Sequence, residues 1–310
     1  MRDFSSRNGG FPMRRLLVAV VGGLALLATG CDLHLLVPEG DPPLRYRDEV
    51  FSRVKTKSDI VYGSAVNQQG ETVELLLDMY EPKGDVAKER PAIVWVHGGG
   101  FTFGSKTSPE IVDEATTFAR KGYLNVSISY RLSEIGCFPP TAACLQAIID
   151  AKHDAQAAVR FLRANAKKYG VDEDRIAIAG TSAGAITALN VGYGPEDVGG
   201  SGNPGFDSTV RAAVSLSGAR ILTDANEGEA AALLFHGDAD TIVPYQWAVD
   251  TVADAEDAGL HVNFTTFEGD GHVPYVEHRT EILDQTTNFL YWTLDTKNAA
   301  QDLPRGRSSG

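Results

Sequence analysis

A serine placed between a strand and a helix is the feature that most limits how this chain can fold. The pentapeptide Gly-Thr-Ser-Ala-Gly at residues 180–184 follows the apolar run 176–179 and leads into a helical stretch. In such a sharp turn a Cβ on either glycine would clash, and the serine is expected to have a strained backbone with its hydroxyl above the sheet. Because short Gly/Ser strings are common in loops, the pattern alone is also consistent with an ordinary turn.

A second glycine-rich segment lies upstream, after another apolar run. Residues 97–101 read His-Gly-Gly-Gly-Phe and follow the strand-like run 92–96. Glycines leave backbone N–H groups open, and such groups can bind the negative oxygen of a tetrahedral intermediate. A flexible loop and a phosphate-binding loop are the alternatives, but the sequence lacks the spacings of the known phosphate motifs. Together with Ser182, the segment favours an oxyanion-binding loop.

The chain also contains candidates for a base and an acid. A serine hydroxyl becomes a good nucleophile when a histidine accepts its proton and a carboxylate orients that histidine. Two strand-like runs downstream, 231–235 and 262–267, are followed by polar loops that carry Asp240 and His272. Both side chains lie past the carboxyl end of a strand, where open α/β sheets bind ligands. We therefore interpret Ser182, Asp240 and His272 as a catalytic set.

Other acids and histidines compete for these roles. Asp238 is interpreted as a turn residue whose carboxylate binds the loop backbone, which leaves Asp240 as the preferred acid. Asp270 is either a turn residue or a neighbour that tunes His272. His236 ends a strand but precedes the candidate acid, which is the wrong order for the base. The remaining histidines lie in the N-terminal segment, in helical stretches, before a strand or in the glycine-rich loop.

Four segments, residues 97–101, 180–184, 236–244 and 271–272, together resemble the α/β-hydrolase carboxylesterases. The likeness is greatest to the hormone-sensitive-lipase-like and feruloyl-esterase-like bacterial groups, over about residues 55–295. This resemblance implies a serine hydrolase that cleaves small-molecule carboxylic esters through an acyl-enzyme, without a cofactor. It also implies the site residues, namely the triad Ser182, Asp240 and His272 and the oxyanion-binding N–H groups of Gly99, Gly100 and Ala183.

Five aromatic residues near these segments are candidate walls of the substrate pocket, with ordinary core packing as the alternative for each: Phe101, Phe103, Tyr130, Trp247 and Tyr275.

Hydrophobic periodicity agrees with the α/β-hydrolase fold. Eight strand-like runs recur, and from residue 92 onward most are separated by helical patterns, which predicts a mostly parallel eight-stranded sheet with helices on both faces. The first two runs, 59–66 and 72–80, are predicted to form an antiparallel edge pair. The clearest helices are predicted at 146–169 and 276–294. A Gly/Pro-rich stretch, 192–207, is too short for a large cap domain.

The N-terminal segment predicts export and a lipid anchor in a membrane. Arg14 and Arg15 precede the uncharged run 16–28, which is too short to span a bilayer comfortably but typical of a signal-peptide core. The run leads into Leu-Ala-Thr-Gly-Cys, which resembles the bacterial lipobox and predicts lipidation of Cys31. Ordinary secretory cleavage near Gly30 is the alternative. We therefore expect a cell-envelope lipoprotein on the periplasmic or cell-surface side of a bacterial membrane.

These patterns divide the chain into four parts. We predict a signal peptide at 1–30, a lipid-anchored tether at 31–54, a catalytic domain at 55–295 and a disordered tail at 296–310. About 240 residues for the catalytic part suit a single domain.

Cysteine usage is consistent with an oxidising compartment. Besides Cys31, the chain contains Cys137 and Cys144, which bracket six residues after the strand-like run 124–129. We predict a disulfide between them that pins a loop near the active-site rim; two unpaired buried thiols are the alternative. Neither the cysteines nor the histidines have zinc-binding spacing, so no metal site is predicted.

The charge of the chain limits its partners. The net charge is −13, and residues 1–30 carry a net +3, so removing them leaves −16. An acidic surface argues against nucleic-acid binding. Two rival functions remain: a prolyl-oligopeptidase-type serine peptidase, which segment 236–244 also fits, and a binding lipoprotein on a hydrolase fold that has lost catalysis. The second rival usually lacks a catalytic residue, and none of the candidates is missing here.

Overall fold

The computed structural model describes residues 34–135, 137, 141–195 and 197–299 of the 310-residue chain. Eight strands form a single sheet in the order β1-β2-β4-β3-β5-β6-β7-β8. The strands are β1 (Val54–Val66), β2 (Thr72–Pro82), β3 (Arg90–Val96), β4 (Leu124–Ile128), β5 (Val171–Thr181), β6 (Ala212–Leu216), β7 (Ala231–Gly237) and β8 (Val262–Phe267).

Six helices accompany the strands. They are α1 (Pro109–Lys121), α2 (Ala142–Ala164), α3 (Ala166–Tyr169), α4 (Ala183–Gly192), α5 (Tyr245–Asp257) and α6 (Tyr275–Thr293), and a 3₁₀ turn follows at Thr296–Asn298. Strands β3 to β8 pair in parallel, whereas β2 runs antiparallel to both β1 and β4. The predicted mostly parallel sheet with an antiparallel edge pair is therefore confirmed.

Two apolar cores lie on opposite faces of the sheet, because successive side chains of a strand point to opposite sides. Ala92 and Val94 of β3 belong to a core that also contains apolar residues of α2 and α4. Ile93 and Trp95 of the same strand belong to a second core, together with residues of α1 and α6. All seven residues of β3 are buried, as expected for a strand covered on both faces.

The long predicted helix at 146–169 is two helices. Helix α2 begins earlier, where the Thr141 side chain accepts a hydrogen bond from the backbone N–H of Cys144 at 3.2 Å. It ends at Asn165, which has φ −115° and ψ 18° and donates its side-chain amide to the carbonyl of Phe161. Because one apolar stripe continues across this break, the periodicity alone did not reveal it. Gly170 ends α3 in the left-handed conformation, with φ of 65°.

The part of the predicted tether (residues 31–54) that the structure describes packs against the domain. Arg45, Tyr46 and Phe51 are buried in the domain, and the guanidinium of Arg45 pairs with the Asp85 carboxylate at 2.6 Å. The indole N–H of Trp292 donates to the carbonyl of Leu36 at 2.8 Å. These long-range contacts fix the segment against the domain, so the prediction of a tether is wrong for the described residues.

The described residues include the start of the predicted C-terminal tail but not the predicted signal peptide. Thr296 is buried and donates to the carbonyl of Tyr291 at 3.1 Å, so the predicted tail is ordered at least through residue 299. The predicted signal peptide, the lipidation site Cys31 and residues 300–310 lie outside the described residues. Within the part of the chain that the structure describes, none of the helices has the length and apolar character needed to cross a bilayer.

Candidate active site

The turn between β5 and α4 carries Ser182 in an unusual backbone conformation. Its φ of 54° and ψ of −117° lie in a region that residues with a Cβ rarely adopt. The backbone N–H of Ser182 donates to the carbonyl of Leu216 at 2.8 Å, which ties the turn to β6. A Cβ on Gly184 would lie 2.0 Å from the carbonyl oxygen of Val96, and one on Gly180 would lie 2.4 Å from the backbone of Gly184. Only glycine fits at both positions.

The structure brings the three predicted catalytic side chains together. Nε2 of His272 lies 2.7 Å from Oγ of Ser182, although 90 residues separate them. Nδ1 of the same ring lies 2.7 Å from Oδ2 of Asp240. Because an ionised carboxylate only accepts hydrogen bonds, Nδ1 is the protonated nitrogen, and Nε2 is free to accept the serine proton. The three residues follow the carboxyl ends of β5, β7 and β8, which is why they meet at one edge of the sheet.

The carboxylate of Asp240 is buried and fully engaged. Oδ1 accepts hydrogen bonds from the backbone N–H groups of Ile242 and Val243 at 2.8 and 3.0 Å. Burial alone would raise the pKa of Asp240, but hydrogen bonds from His236, His272 and the Ile242 backbone hold the pKa well below its usual range. Asp240 is therefore ionised at neutral pH, and it orients the His272 ring.

Sequence reasoning set aside His236, yet this residue also contacts the acid. Its Nε2 lies 3.1 Å from Oδ2 of Asp240 and 2.9 Å from the carbonyl oxygen of Val243. The spacing of four residues between His236 and Asp240 around a turn was the one available signal, but it does not distinguish a contact from a chance neighbour.

The predicted oxyanion-binding residues surround the serine. Ala183 is the first residue of α4, so its N–H has no partner within the helix and lies at the positive end of the helix dipole. Gly99 and Gly100 have φ of 111° and 58°, which bends the loop after β3 over the site. A Cβ on Gly98 would lie 3.3 Å from Cβ of Ser182. The loop and the helix start thus offer backbone donors on the side of the serine hydroxyl.

His97 supports this loop rather than the chemistry. Its ring is fully buried, stacks on Tyr130 with 4.3 Å between ring centroids, and donates from Nδ1 to the carbonyl of Gly98 at 2.6 Å. Burial lowers the pKa of His97 from 6.5 to about 4. The histidine is therefore neutral at physiological pH. Tyr130, which the sequence suggested as a pocket wall, donates instead to the carbonyl of His97 at 3.1 Å.

A cavity of about 530 Å³ opens beside the serine. Of the other aromatic residues expected to line it, Phe101, Phe103 and Trp247 do so. Tyr275 instead donates to Asp113 at 2.7 Å, away from the cavity. Glu110 is the one carboxylate among the described lining residues. Most of the remaining wall is formed by apolar side chains. These include Leu145, Ile148, Ile186, Ile221, Ile242, Val243 and Val273.

The two cysteines form the predicted disulfide, and it is part of the cavity wall. Cys137 and Cys144 are bonded, with their Cα atoms 4.7 Å apart. Both are buried and line the cavity beside Leu145 and Ile148. The bridge therefore joins the start of α2 to the loop that follows β4, at the predicted place near the active-site rim.

The competing acids have other partners. Oδ1 of Asp238 accepts a hydrogen bond from the backbone N–H of Gly269 at 2.7 Å, which is the predicted role in the loop. Oδ2 of Asp270 contacts Nε2 of His278 at 2.5 Å, so this carboxylate is a turn residue that holds α6 and not a second partner of His272.

Comparisons with known proteins agree with the fold and point to esterases. A family model described as BD-FAE matches residues 77–220, and one described as the prolyl oligopeptidase family matches residues 201–298. Gut esterase 1 of Caenorhabditis elegans is 26% identical over 182 residues, which cover 54% of this chain and 32% of that protein. Esterase LipC of Mycobacterium tuberculosis is 30% identical over 164 residues, covering 52% of this chain and 35% of that protein. The chain thus spans about a third of the length of these curated relatives.

Solved structures show the same fold. Esterase 2 of Thermogutta terrifontis, phosphonylated by cyclosarin, aligns with a TM-score of 0.63 and 24% identity over 80% of this chain and 96% of that one. The butyrate-bound form aligns with a TM-score of 0.62 and 22% identity over 73% of this chain and 92% of that one. The eight-stranded sheet and these similarities show that the chain has the α/β-hydrolase fold, and the relatives it matches include proteins named as esterases.

Proposed function

We propose that this chain is a carboxylesterase that cleaves esters through an acyl-enzyme on Ser182. The observation that carries the proposal is the unbroken hydrogen-bond chain from Ser182 through His272 to Asp240, beside an open cavity. The similarity to proteins named as esterases supports the choice of ester as the bond that is cleaved.

The geometry supports a two-step reaction. His272 accepts the proton of Ser182 while Oγ attacks the ester carbonyl, and the buried carboxylate of Asp240 stabilises the imidazolium that forms. The N–H groups of Gly99, Gly100 and Ala183 bind the oxyanion. His272 then gives its proton to the leaving alcohol. In the second step His272 takes a proton from a water molecule that attacks the acyl-enzyme, and it returns this proton to Oγ of Ser182 as the C–Oγ bond breaks and the acid leaves.

The cavity supports an apolar substrate group. Its volume of about 530 Å³ falls within the roughly 300–1,000 Å³ of small-molecule sites. The apolar wall favours an acyl or alcohol group larger than acetyl, and Glu110 disfavours an anionic group at the same place. We therefore propose neutral esters with an apolar group of moderate size as substrates.

The N-terminal sequence supports export and anchoring as part of this function. An uncharged run after two arginines and a lipobox-like ending at Cys31 favour a lipid-anchored cell-envelope enzyme. Metabolic labelling with a radioactive fatty acid tests this: the wild type should be labelled and Cys31→Ser should not. A wild type without label, cleaved near Gly30, would favour a freely exported enzyme instead.

A serine peptidase of the prolyl-oligopeptidase type is the second candidate. The specific observation in its favour is the match of that family model to residues 201–298, which include Asp240 and His272. The same three side chains would serve either reaction.

One assay panel separates these functions. Nitrophenyl esters of increasing acyl length are tested beside proline nitroanilides, with the wild type and Ser182→Ala. We expect ester turnover by the wild type and a loss of more than about 10⁴-fold in the variant. Turnover of the anilides with none of the esters would support the peptidase. Ester turnover unchanged in the variant would contradict both.

A further inference from the structure

His236 lies at the end of β7, directly behind the acid of the proposed triad. Its side chain is buried, and its Nε2 lies between the Val243 carbonyl at 2.9 Å and Oδ2 of Asp240 at 3.1 Å. A carbonyl oxygen only accepts hydrogen bonds, so Nε2 carries the proton. Nδ1 is buried and has no hydrogen-bond partner among the described residues.

This single N–H bridges two parts of the loop that supplies the acid. Nε2 makes its hydrogen bond to the backbone carbonyl of Val243, and at 3.1 Å it also lies against the carboxylate oxygen that binds His272. On its other oxygen, Asp240 accepts the N–H groups of Ile242 and Val243. Both carboxylate oxygens therefore have partners, and among the described residues His236 is the one that connects the carboxylate to the strand beneath it.

We propose that His236 is a positioning residue that holds Asp240 in the orientation that His272 requires, and that it shares the negative charge on Oδ2. This role rests on the proposed function. The titratable groups around His236 in the described part of the chain are Asp240, the ring of Tyr245 from α5 at 5.9 Å between centroids, and, across Asp240, His272.

The two effects have a measurable signature. Without the donor, Asp240 is less well fixed, which lowers kcat more than it raises KM because the imidazolium forms only along the reaction. The charge on Oδ2 is then shared by fewer donors and stabilises the protonated form of His272 more strongly. The base form consequently requires a higher pH, so the acid limb of the kcat/KM profile moves upward.

The experiment compares His236→Phe, which keeps a ring but lacks the donor, with His236→Gln, whose side-chain amide can reach both acceptors. We expect a fall in kcat of about 10- to 100-fold in the first variant, a KM within about threefold of the wild type, and an acid limb raised by roughly half a pH unit. The glutamine variant should recover most of the kcat. His153→Gln, on α2 and bonded to Asp197, is the control for the substitution and should behave as the wild type.

Rates are expressed per active site, counted by titration with a fluorophosphonate, so that a smaller folded fraction does not imitate a smaller kcat. If His236→Phe does not fold, His236→Asn replaces it, because its shorter amide cannot reach both acceptors. A phenylalanine or asparagine variant with wild-type kcat per site and an unmoved acid limb would overturn the positioning role. Failure of the proposed function is distinguishable, since it would appear as ester turnover that does not depend on Ser182.

Discussion

Gly184 and Val96 are packed so closely that a Cβ on Gly184 would lie 2.0 Å from the carbonyl oxygen of Val96. This contact joins the start of α4 to the end of β3. It therefore places the N–H groups of the helix start next to the glycine-rich loop that follows Val96. The proposed oxyanion hole depends on this approach, because its donors come from both elements.

Gly184→Ala tests the contact directly. The added methyl group overlaps backbone atoms that cannot rotate away, so we expect a loss of more than about 3 kcal/mol in the free energy of unfolding, or no folded protein. Urea unfolding followed by fluorescence measures this. Gly200→Ala is the matched control, since a Cβ there meets no atom within 4 Å and the residue has no positive φ. Equal stability of the two variants would mean that the packing at Gly184 is looser than described.

The disulfide should contribute to both stability and selectivity. For a loop as short as the one closed by Cys137 and Cys144, cross-linking is expected to stabilise the fold by about 2 to 3 kcal/mol. Because the bridge lines the cavity, its loss should also change the ratio of rates for long and short acyl esters. Urea unfolding and ester assays of a double serine variant measure the two effects.

Reduction of the bridge in the wild type should change its stability and its acyl preference in the same way. The double serine variant has no bridge to reduce, so it is the control, and reductant should change neither property in it. If the reduced wild type keeps its stability and its acyl preference, the bridge does not shape the cavity.

Protein stability should fall as the pH is lowered from 7 to about 4, in part because of His97. Its pKa is about 4 in the fold and about 6.5 in the unfolded chain. The unfolded state therefore binds more protons in this window, and the contribution lost on acidification totals about 3 kcal/mol. The pKa of Asp240 is lowered in the fold. Its contribution to stability is therefore lost mainly at still lower pH, as the pH falls through the usual titration range of an aspartate and below it.

His97→Asn isolates this contribution, because its amide can still donate to the carbonyl of Gly98 but does not titrate in the window. Urea unfolding at pH 7.0 and 4.5 should show a clearly smaller pH-dependent loss for the variant than for the wild type. Identical losses would exclude the buried histidine as the source.

The apolar cavity predicts a dependence on acyl length. Ile148 lies on α2 in the cavity wall, next to Cys144. Ile148→Phe should lower kcat/KM for the longest accepted ester by about tenfold relative to acetate, since a few apolar contacts account for 1–3 kcal/mol. Ile148→Leu keeps the volume and should leave the ratio nearly unchanged. An unchanged ratio in the phenylalanine variant would place the substrate elsewhere.

Much of the fold could be predicted because its signals are local. Apolar runs such as residues 92–96 of β3 mark strands that are covered on both faces, and the glycines at 180 and 184 mark the turn that carries Ser182. The order of Ser182, Asp240 and His272 along the chain, each just after a strand, was enough to predict that parallel strands bring them to one edge.

The features that the sequence did not reveal depend on long-range contacts. The segment around Arg45 looked like a linker because its partner, Asp85, lies 40 residues away. Likewise, the contact of His236 with Asp240 depends on how the loop after β7 folds back, which no periodicity encodes. Tyr130 and Tyr275 were expected in the cavity from their type and position alone, and the hydrogen bonds that place them elsewhere involve distant residues.

The most direct test of the central claim is to find which residue an active-site serine reagent modifies. The protein is incubated with a fluorophosphonate, ester turnover is followed, and the adduct is located by mass spectrometry of peptides. We predict one adduct per chain, on Ser182, formed in step with the loss of activity and much more slowly in His272→Gln. Full activity with Ser182 completely modified, or complete inactivation with the adduct on another residue, would contradict the account.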